Sequence, residues 1–451
     1  MTRTADEIGR TARGPRPLPA LGTQRPQPVL QSVDTVLGSG LRVIVVRQPS
    51  VPMVELRLRI PFGGTDPRHS ARAEVLSETL LAGTSRRDRL ELDTDLALVG
   101  GELRAGVDPE RLSVSGSALA SGLPTLLDVL GDALTGATYA DDEVSVERTR
   151  LVERIAVARS QPSVIAREAL QRRRYGDHPF TREMPVAEEV AVVTPEEVRE
   201  LHRASVLSRG SVLVLVGDVD PDDTVAKLAT ALADWQSDAS VAELQPLPEV
   251  TGGDLQVVHR PGAVQSQLRL SARAMARTHP DYPAMQLANL AFGGYFSSRL
   301  VENIREDKGY TYHARSAAEF TNSGASLLVE ADTATDVTAA ALWEIRYELG
   351  RLGLVPPDES EMDTLRRYAI GSLLIATASQ GGLASQLTAL AGYGLDPQWL
   401  TDHPARLAAV TEEDVARVAL EYFAPTAFTG VIVGDADALG SLRGLGGVSL
   451  P

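Results

Sequence analysis

The sequence is 451 residues long and sets 44 Lys and Arg against 60 Asp and Glu, a formal charge of -16. Seven histidines and no cysteine exclude disulfides, thiolate catalysis, iron–sulfur clusters and cysteine-ligated zinc, so a metal would rest on His, Asp or Glu. The length suits two or three domains, and the acidic surplus argues against nucleic acid as a partner.

Residues 1–32 carry Arg13-Gly14-Pro15-Arg16-Pro17 and Arg25-Pro26-Gln27-Pro28, which read as a flexible Pro/Arg-rich tail without the apolar run of a secretory signal. Nowhere does an apolar run approach the ~20 residues of a membrane span, so the expectation is a cytoplasmic protein with no membrane partner. Apolar patterning predicts strands at 41–47 and 53–60, then a helix-period segment. Farther on, Thr194 stands before Pro195-Glu196-Glu197-Val198, an N-cap with an acidic first turn. An apolar strand at 211–216 follows and closes with Gly217-Asp218.

This order recurs. Strands are predicted at 255–260 and 265–272, a helix at 283–291 interrupted by Gly293-Gly294, and a second helix at 297–306 stopped by Gly309. Strands at 310–315 and 325–330 and an amphipathic helix at 335–352 follow. Thr411-Glu412-Glu413-Asp414-Val415 then precedes the strand 430–433, closed by Gly434-Asp435. Thr194 and Thr411 lie 217 positions apart, as do Gly217 and Gly434. A shared offset across dissimilar sequence signals a duplicated unit. The expected fold is α+β: two similar α/β-sandwich domains, each an antiparallel-rich sheet packed on helices. They are placed at 33–244 and 254–438, joined by a linker at 245–253 and followed by a flexible tail at 439–451.

The segment Ala73-Glu74-Val75-Leu76-Ser77-Glu78-Thr79-Leu80-Leu81-Ala82-Gly83-Thr84 resembles the zinc-site helix of the pitrilysin/insulinase-type (inverzincin) metallopeptidases. Leu98-Val99-Gly100-Gly101-Glu102-Leu103-Arg104-Ala105 and Arg173-Arg174-Tyr175-Gly176-Asp177-His178-Pro179-Phe180 are similar to segments of the same family. So are Phe296-Ser297-Ser298-Arg299-Leu300 and Ile304-Arg305-Glu306-Asp307-Lys308-Gly309-Tyr310-Thr311-Tyr312. The resemblance covers residues 33–438 and implies one half-clamshell of two repeated domains.

Working members of that family carry His-x-x-Glu-His on a helix, two zinc-binding histidines on one face with a Glu as general base. On that frame this chain has Glu74 and Glu78 at the histidine positions and Ser77 at the base, while the third, acidic ligand falls near Arg154, one step from Glu153. Ser77 has no pKa suited to taking a proton from water. Glu74 and Glu78, at i and i+4, suit a hard cation better than zinc, and the plainer reading is a solvated face beside Arg72 and Arg154. The chain is therefore expected to hold no metal.

Arg305 and Tyr312 have the seven-residue spacing of an Arg/Tyr pair which, by the resemblance, binds the substrate carbonyl from the half-shell opposite the zinc. A guanidinium and a phenol are suitable donors to a developing oxyanion. The plainer reading pairs Arg305 with Glu302 or Glu306 and makes Tyr312 an ordinary half-buried strand residue. Asp177-His178 could form a base with its orienter, although a His before Pro is more often structural. His69 reads as a loop residue, and His202, His259, His279, His313 and His403 show no mutual ligand spacing.

The resemblance implies a non-catalytic subunit of a heterodimeric peptidase. It would bind peptide substrate, such as a leader peptide, by strand addition and supply Arg305 and Tyr312 in trans to a zinc-bearing paralogous partner. The alternative is a scaffold subunit with no role in proteolysis. A lone enzyme with an unusual metal ranks below both.

Overall fold

The computed structural model describes residues 30–451 except 238 and 243. Before them it describes only a two-residue antiparallel pairing of Arg10–Thr11 with Gly14–Pro15, and the rest of the expected N-terminal tail lies outside the described residues.

The first half builds a six-stranded sheet from β1 (Ser32–Val36), β2 (Arg42–Arg47), β3 (Met53–Pro61), β4 (Glu102–Asp108), β5 (Arg111–Leu119) and β6 (Val212–Gly217). Its order is β1-β2-β6-β3-β5-β4, with β2 and β6 parallel and the other neighbours antiparallel. The second half repeats the plan with β7 (Leu255–His259), β8 (Gln265–Arg273), β9 (Thr311–Phe320), β10 (Ala325–Ala334), β11 (Thr429–Gly434) and β12 (Val448–Ser449). Here the order is β9-β10-β8-β11-β7-β12. Both central strands, β6 and β11, are buried along their whole length, which is why they read as unbroken apolar runs.

The repeat extends to side chains. Arg57 lies opposite Val214 and Arg269 opposite Val431, so the two arginines take equivalent places beside strands that are themselves 217 positions apart. Arg57 Nη1 donates to the carbonyls of Leu56 (2.8 Å) and Gly116 (3.4 Å), and Arg269 Nη1 to those of Leu268 (2.9 Å) and Ala331 (3.4 Å). Helices Pro195–Ser205 and Glu412–Tyr422 both open on capping boxes, Thr194 with Glu197 and Thr411 with Asp414.

One face of each sheet packs on helices of its own half. On β3 that face is Val54, Leu56, Leu58 and Ile60, each at most 1% exposed. The opposite face of each sheet is covered by a helix from the other half. Helix Pro162–Tyr175 lies across β8 and β11, while helix Gln380–Gly392 lies across β3 and β6. Leu170 packs with Leu328 and Val431, and Arg173 Nε donates to Thr429 Oγ1 (3.2 Å). In the reverse direction, Gln380 Nε2 donates to the carbonyls of Gln48 (2.6 Å) and Val51 (3.0 Å). This exchange makes residues 31–451 one compact unit.

Three local expectations change. Residues 440–449 are not a loose tail: Leu439 and Leu442 are fully buried, and Val448 pairs in parallel with Leu255 as an added edge strand. These two leucines dock a glycine-rich stretch, and Arg346 adds hydrogen bonds to the carbonyls of Leu445, Gly446 and Gly447. Helix Tyr282–Asn289 runs into a π-helical turn at Leu290–Gly294 instead of stopping, and Arg305 sits inside a second such turn, Glu302–Asp307, rather than at an α-helical end. Gly309, with φ of +65°, ends that turn as the sequence indicates. Among the described residues no helix is long and apolar enough to cross a membrane.

Candidate functional site

Helix His69–Thr79 is buried nearly all round, with Ala71, Ala73, Val75 and Leu76 at most 2% exposed. It packs beside β4, the free edge of the first sheet, and against helix Asp141–Arg159. Glu74 and Glu78 leave it on one side, and the second and third ligand positions of the frame do meet there: Arg154 Nη2 lies 2.7 Å from Glu78 Oε1. The Ser77 hydroxyl, 6% exposed, donates to the Glu74 carbonyl at 3.0 Å. These residues do not fit zinc. The place of an anionic ligand holds a guanidinium that already neutralises Glu78, and the place of the base holds a hydroxyl turned to its own helix.

Arg72, expected beside the two carboxylates, is paired with Asp66 at 2.9 Å. His69 is no loop residue. It is 9% exposed in the first turn of the helix, with Nε2 2.8 Å from the Phe62 carbonyl, and burial lowers its pKa.

Glu74 differs from its neighbours. Its carboxylate forms no hydrogen bond or ion pair among the described residues. Burial first, and Glu78 second, push its pKa up to about 7. It opens into a cavity of about 290 Å³ with apolar walls from Leu151, Ile155, Val164 and Met184. The exchanged helix Pro162–Tyr175 and the segment after His178 close this cavity, contributions that no periodicity around Glu74 announces.

In the second half, Arg305 and Tyr312 do come together. The Arg305 guanidinium stands 4.8 Å from the Tyr312 ring centroid and 5.0 Å from that of Phe296, so it is held between two aromatic faces. Tyr312 is 86% exposed and Phe296 63%, which replaces the expectation of a half-buried strand tyrosine. The plainer ion pair also exists, Arg305 Nε to Glu306 Oε1 at 3.3 Å. Tyr312 sits at a register shift between Thr311 and His313 near the start of β9, the free edge of the second sheet. The role of Phe296 was missed, although its segment was among those carrying the resemblance.

His178 is structural: Nε2 lies 3.0 Å from the Gln245 carbonyl and Nδ1 accepts from the Phe180 amide at 3.1 Å. His259 meets Asp435 and Asp437 with ligand atoms within 4.8 Å of one another, a grouping invisible across so long a sequence separation. There, His259 Nδ1 already accepts from the Ala436 amide at 3.0 Å, which locks the turn after β11.

Fold and site together define a two-repeat half-clamshell of the insulinase-peptidase type. Two family models match: "Insulinase (Peptidase family M16)" over residues 42–185 and "Peptidase M16 inactive domain" over 193–368. The chain belongs to this family. It is 25% identical over 397 residues to an uncharacterized zinc protease of Streptomyces coelicolor, covering 85% of this chain and 86% of that one. An uncharacterized zinc protease of Mycobacterium bovis is 28% identical over 316 residues, 68% of this chain and 72% of the other. Among solved structures, the peptidase M16 inactive domain from Pseudomonas fluorescens superposes with a TM-score of 0.82 at 21% identity, covering 90% of this chain and 98% of that one. The periplasmic protease PqqL from Escherichia coli gives 0.76 at 17%, covering 95% of this chain but 50% of PqqL, so the fold is that of half of PqqL.

Proposed function

We propose that this chain is the zinc-less subunit of a heterodimeric insulinase-type peptidase. It binds an extended peptide and contributes Arg305 and Tyr312 to the active site of a zinc-bearing paralogous partner. The carrying observation is the Phe296–Arg305–Tyr312 stack, a half-buried guanidinium held beside an exposed phenol at a sheet edge. Half-coverage of PqqL supports a chain that works with a second half-shell.

Zinc on the partner would supply the activated water. This chain's part is to hold a peptide through the main-chain groups of an edge strand and to donate hydrogen bonds to the carbonyl oxygen as charge develops on it. Pre-packing on Phe296 limits the rotamer freedom Arg305 must lose, so more of its interaction is available to the transition state.

The test is cleavage by the purified complex. Arg305→Ala and Tyr312→Phe should each lower kcat by roughly 10²-fold, the scale of removing one oxyanion donor, with subunit association unchanged. Undiminished cleavage by both variants, or cleavage by this chain alone, sinks the proposal; the former outcome, with assembly intact, assigns a scaffold role. A gene for a His-x-x-Glu-His paralogue beside this one is a further expectation.

A further inference from the structure

We propose that the cavity at Glu74 is a subsite for one cationic side chain, a lysine or arginine of the bound peptide, with Glu74 as its counter-ion. The inference rests on the peptide-binding part of the function proposed above. It starts from charge accounting inside the cavity. Every other carboxylate on its wall already has a guanidinium: Glu78 with Arg154 at 2.7 Å, Glu183 with Arg167 at 2.7 Å, and Glu168 with Arg159 at 3.3 Å. Both arginines of the lining, Arg154 and Arg167, are used in these pairs. Glu74 alone is left over, so the cavity holds one carboxyl group without a counter-ion.

The walls and one further polar group narrow the ligand. Leu151, Ile155, Val164 and Met184 suit the methylene stem of a long basic side chain, which buries its carbons while its head reaches a charge. Gln171, 2% exposed, accepts from Arg174 Nη2 at Oε1 (3.0 Å), while its Nε2 has no hydrogen-bond partner among the described residues. Gln171 is among the residues that line the cavity, and its free amide is suited to a peptide carbonyl. An ammonium or guanidinium entering here meets a carboxylate in a poorly screened site, where an ion pair is stronger than at the surface. A neutral stem of equal length would leave Glu74 buried and unpaired.

The edge strand β4 beside the same helix would let an extended peptide run past the cavity mouth. Substitution of the zinc-site positions has then left a place that reads substrate charge instead of activating water.

The experiment uses the full chain without any partner. Four fluorescein-labelled extended octapeptides differ at one central position, which is lysine, arginine, norleucine or Nε-acetyl-lysine, and anisotropy reads their affinity at about pH 8, where Glu74 is ionised. The lysine and arginine peptides should bind about tenfold tighter than the norleucine and acetyl-lysine peptides, the scale of one charge-assisted contact. In Glu74→Gln the four affinities should converge on that of the norleucine peptide. The acetyl-lysine arm needs no altered protein, so a folding defect in the variant cannot obscure the answer. Equal binding of all four peptides, a preference that survives in Glu74→Gln, or cadaverine binding as tightly as the lysine peptide would each overturn the subsite. Absence of any peptide binding would overturn it together with the peptide-binding reading. Cleavage by the complex reads Arg305 and Tyr312 separately.

Discussion

Arg59 occupies the space that a side chain at position 392 would need: a Cβ on Gly392 would lie 2.5 Å from Cζ of Arg59. The two residues belong to different halves, Arg59 to β3 and Gly392 to the end of the helix that crosses it. Arg59 is 4% exposed and donates to Asn322 Oδ1 at 2.6 Å, so its head group cannot simply swing aside. Gly392→Ala should therefore destabilise the chain by about 1–3 kcal/mol, as overpacking does. Urea denaturation would show it as a lower midpoint at unchanged slope, and an unaltered midpoint would mean the contact relaxes freely.

The other exchanged interface has its own buried arginine. Arg174, 7% exposed, donates to Glu319 Oε2 at 2.7 Å, Ser326 Oγ at 3.0 Å and Ser271 Oγ at 3.2 Å. Arg174→Ala strands these acceptors and should cost on the order of 3 kcal/mol. Since each sheet is roofed by the other half, tryptophan fluorescence and circular dichroism should report one shared unfolding transition. Two separated transitions would show that the halves are energetically independent.

Glu74 predicts a pH dependence whose sign can be worked out. Its folded pKa of about 7 lies above the ordinary value of 4.5, so between these the native state keeps a proton that the unfolded chain has lost. Stability then falls as pH rises through that window and levels off above it, by at most about 3 kcal/mol for this group. Glu74→Gln should match the parent near pH 4 and be more stable near pH 8, by roughly 1–3 kcal/mol. Guanidinium denaturation at the two pH values checks this. Equal stabilities at the higher pH would show that the carboxylate is solvated.

Phe296 is 63% exposed yet faces the Arg305 guanidinium. Phe296→Ala should leave global stability within about 0.5 kcal/mol, as for most surface substitutions. It should lower cleavage by the assembled peptidase less than Arg305→Ala does, through kcat more than KM. A loss of stability instead would assign Phe296 a packing role.

Much of the fold was legible because its signals are local. The capping threonines Thr194 and Thr411, the apolar strands β6 and β11, and Gly309 each act within a few residues, and repetition at one offset tied them into two equivalent halves. The Arg305–Tyr312 pairing was legible through the family resemblance, and one turn and the start of one strand join the two residues. Long-range contacts were not. Helix Pro162–Tyr175 does not announce in its apolar pattern that the surface it covers lies beyond residue 254, and the cavity at Glu74 depends on that helix. Nor does composition reveal that Phe296 rests on Arg305, or that Leu439 and Leu442 anchor the closing segment.

The reciprocal helices carry one further consequence. Two equivalent units, each lending a helix to the other, have the geometry of a swapped dimer, here with both copies on one chain. Joined through residues 245–253, the lent helices meet their receiving sheets at an effective concentration fixed by tether length instead of by the amount of protein present. Dilution, which dissociates a two-chain swap, leaves this one closed. The surface proposed to pair with a second half-shell would thus stay assembled even when its partner is scarce.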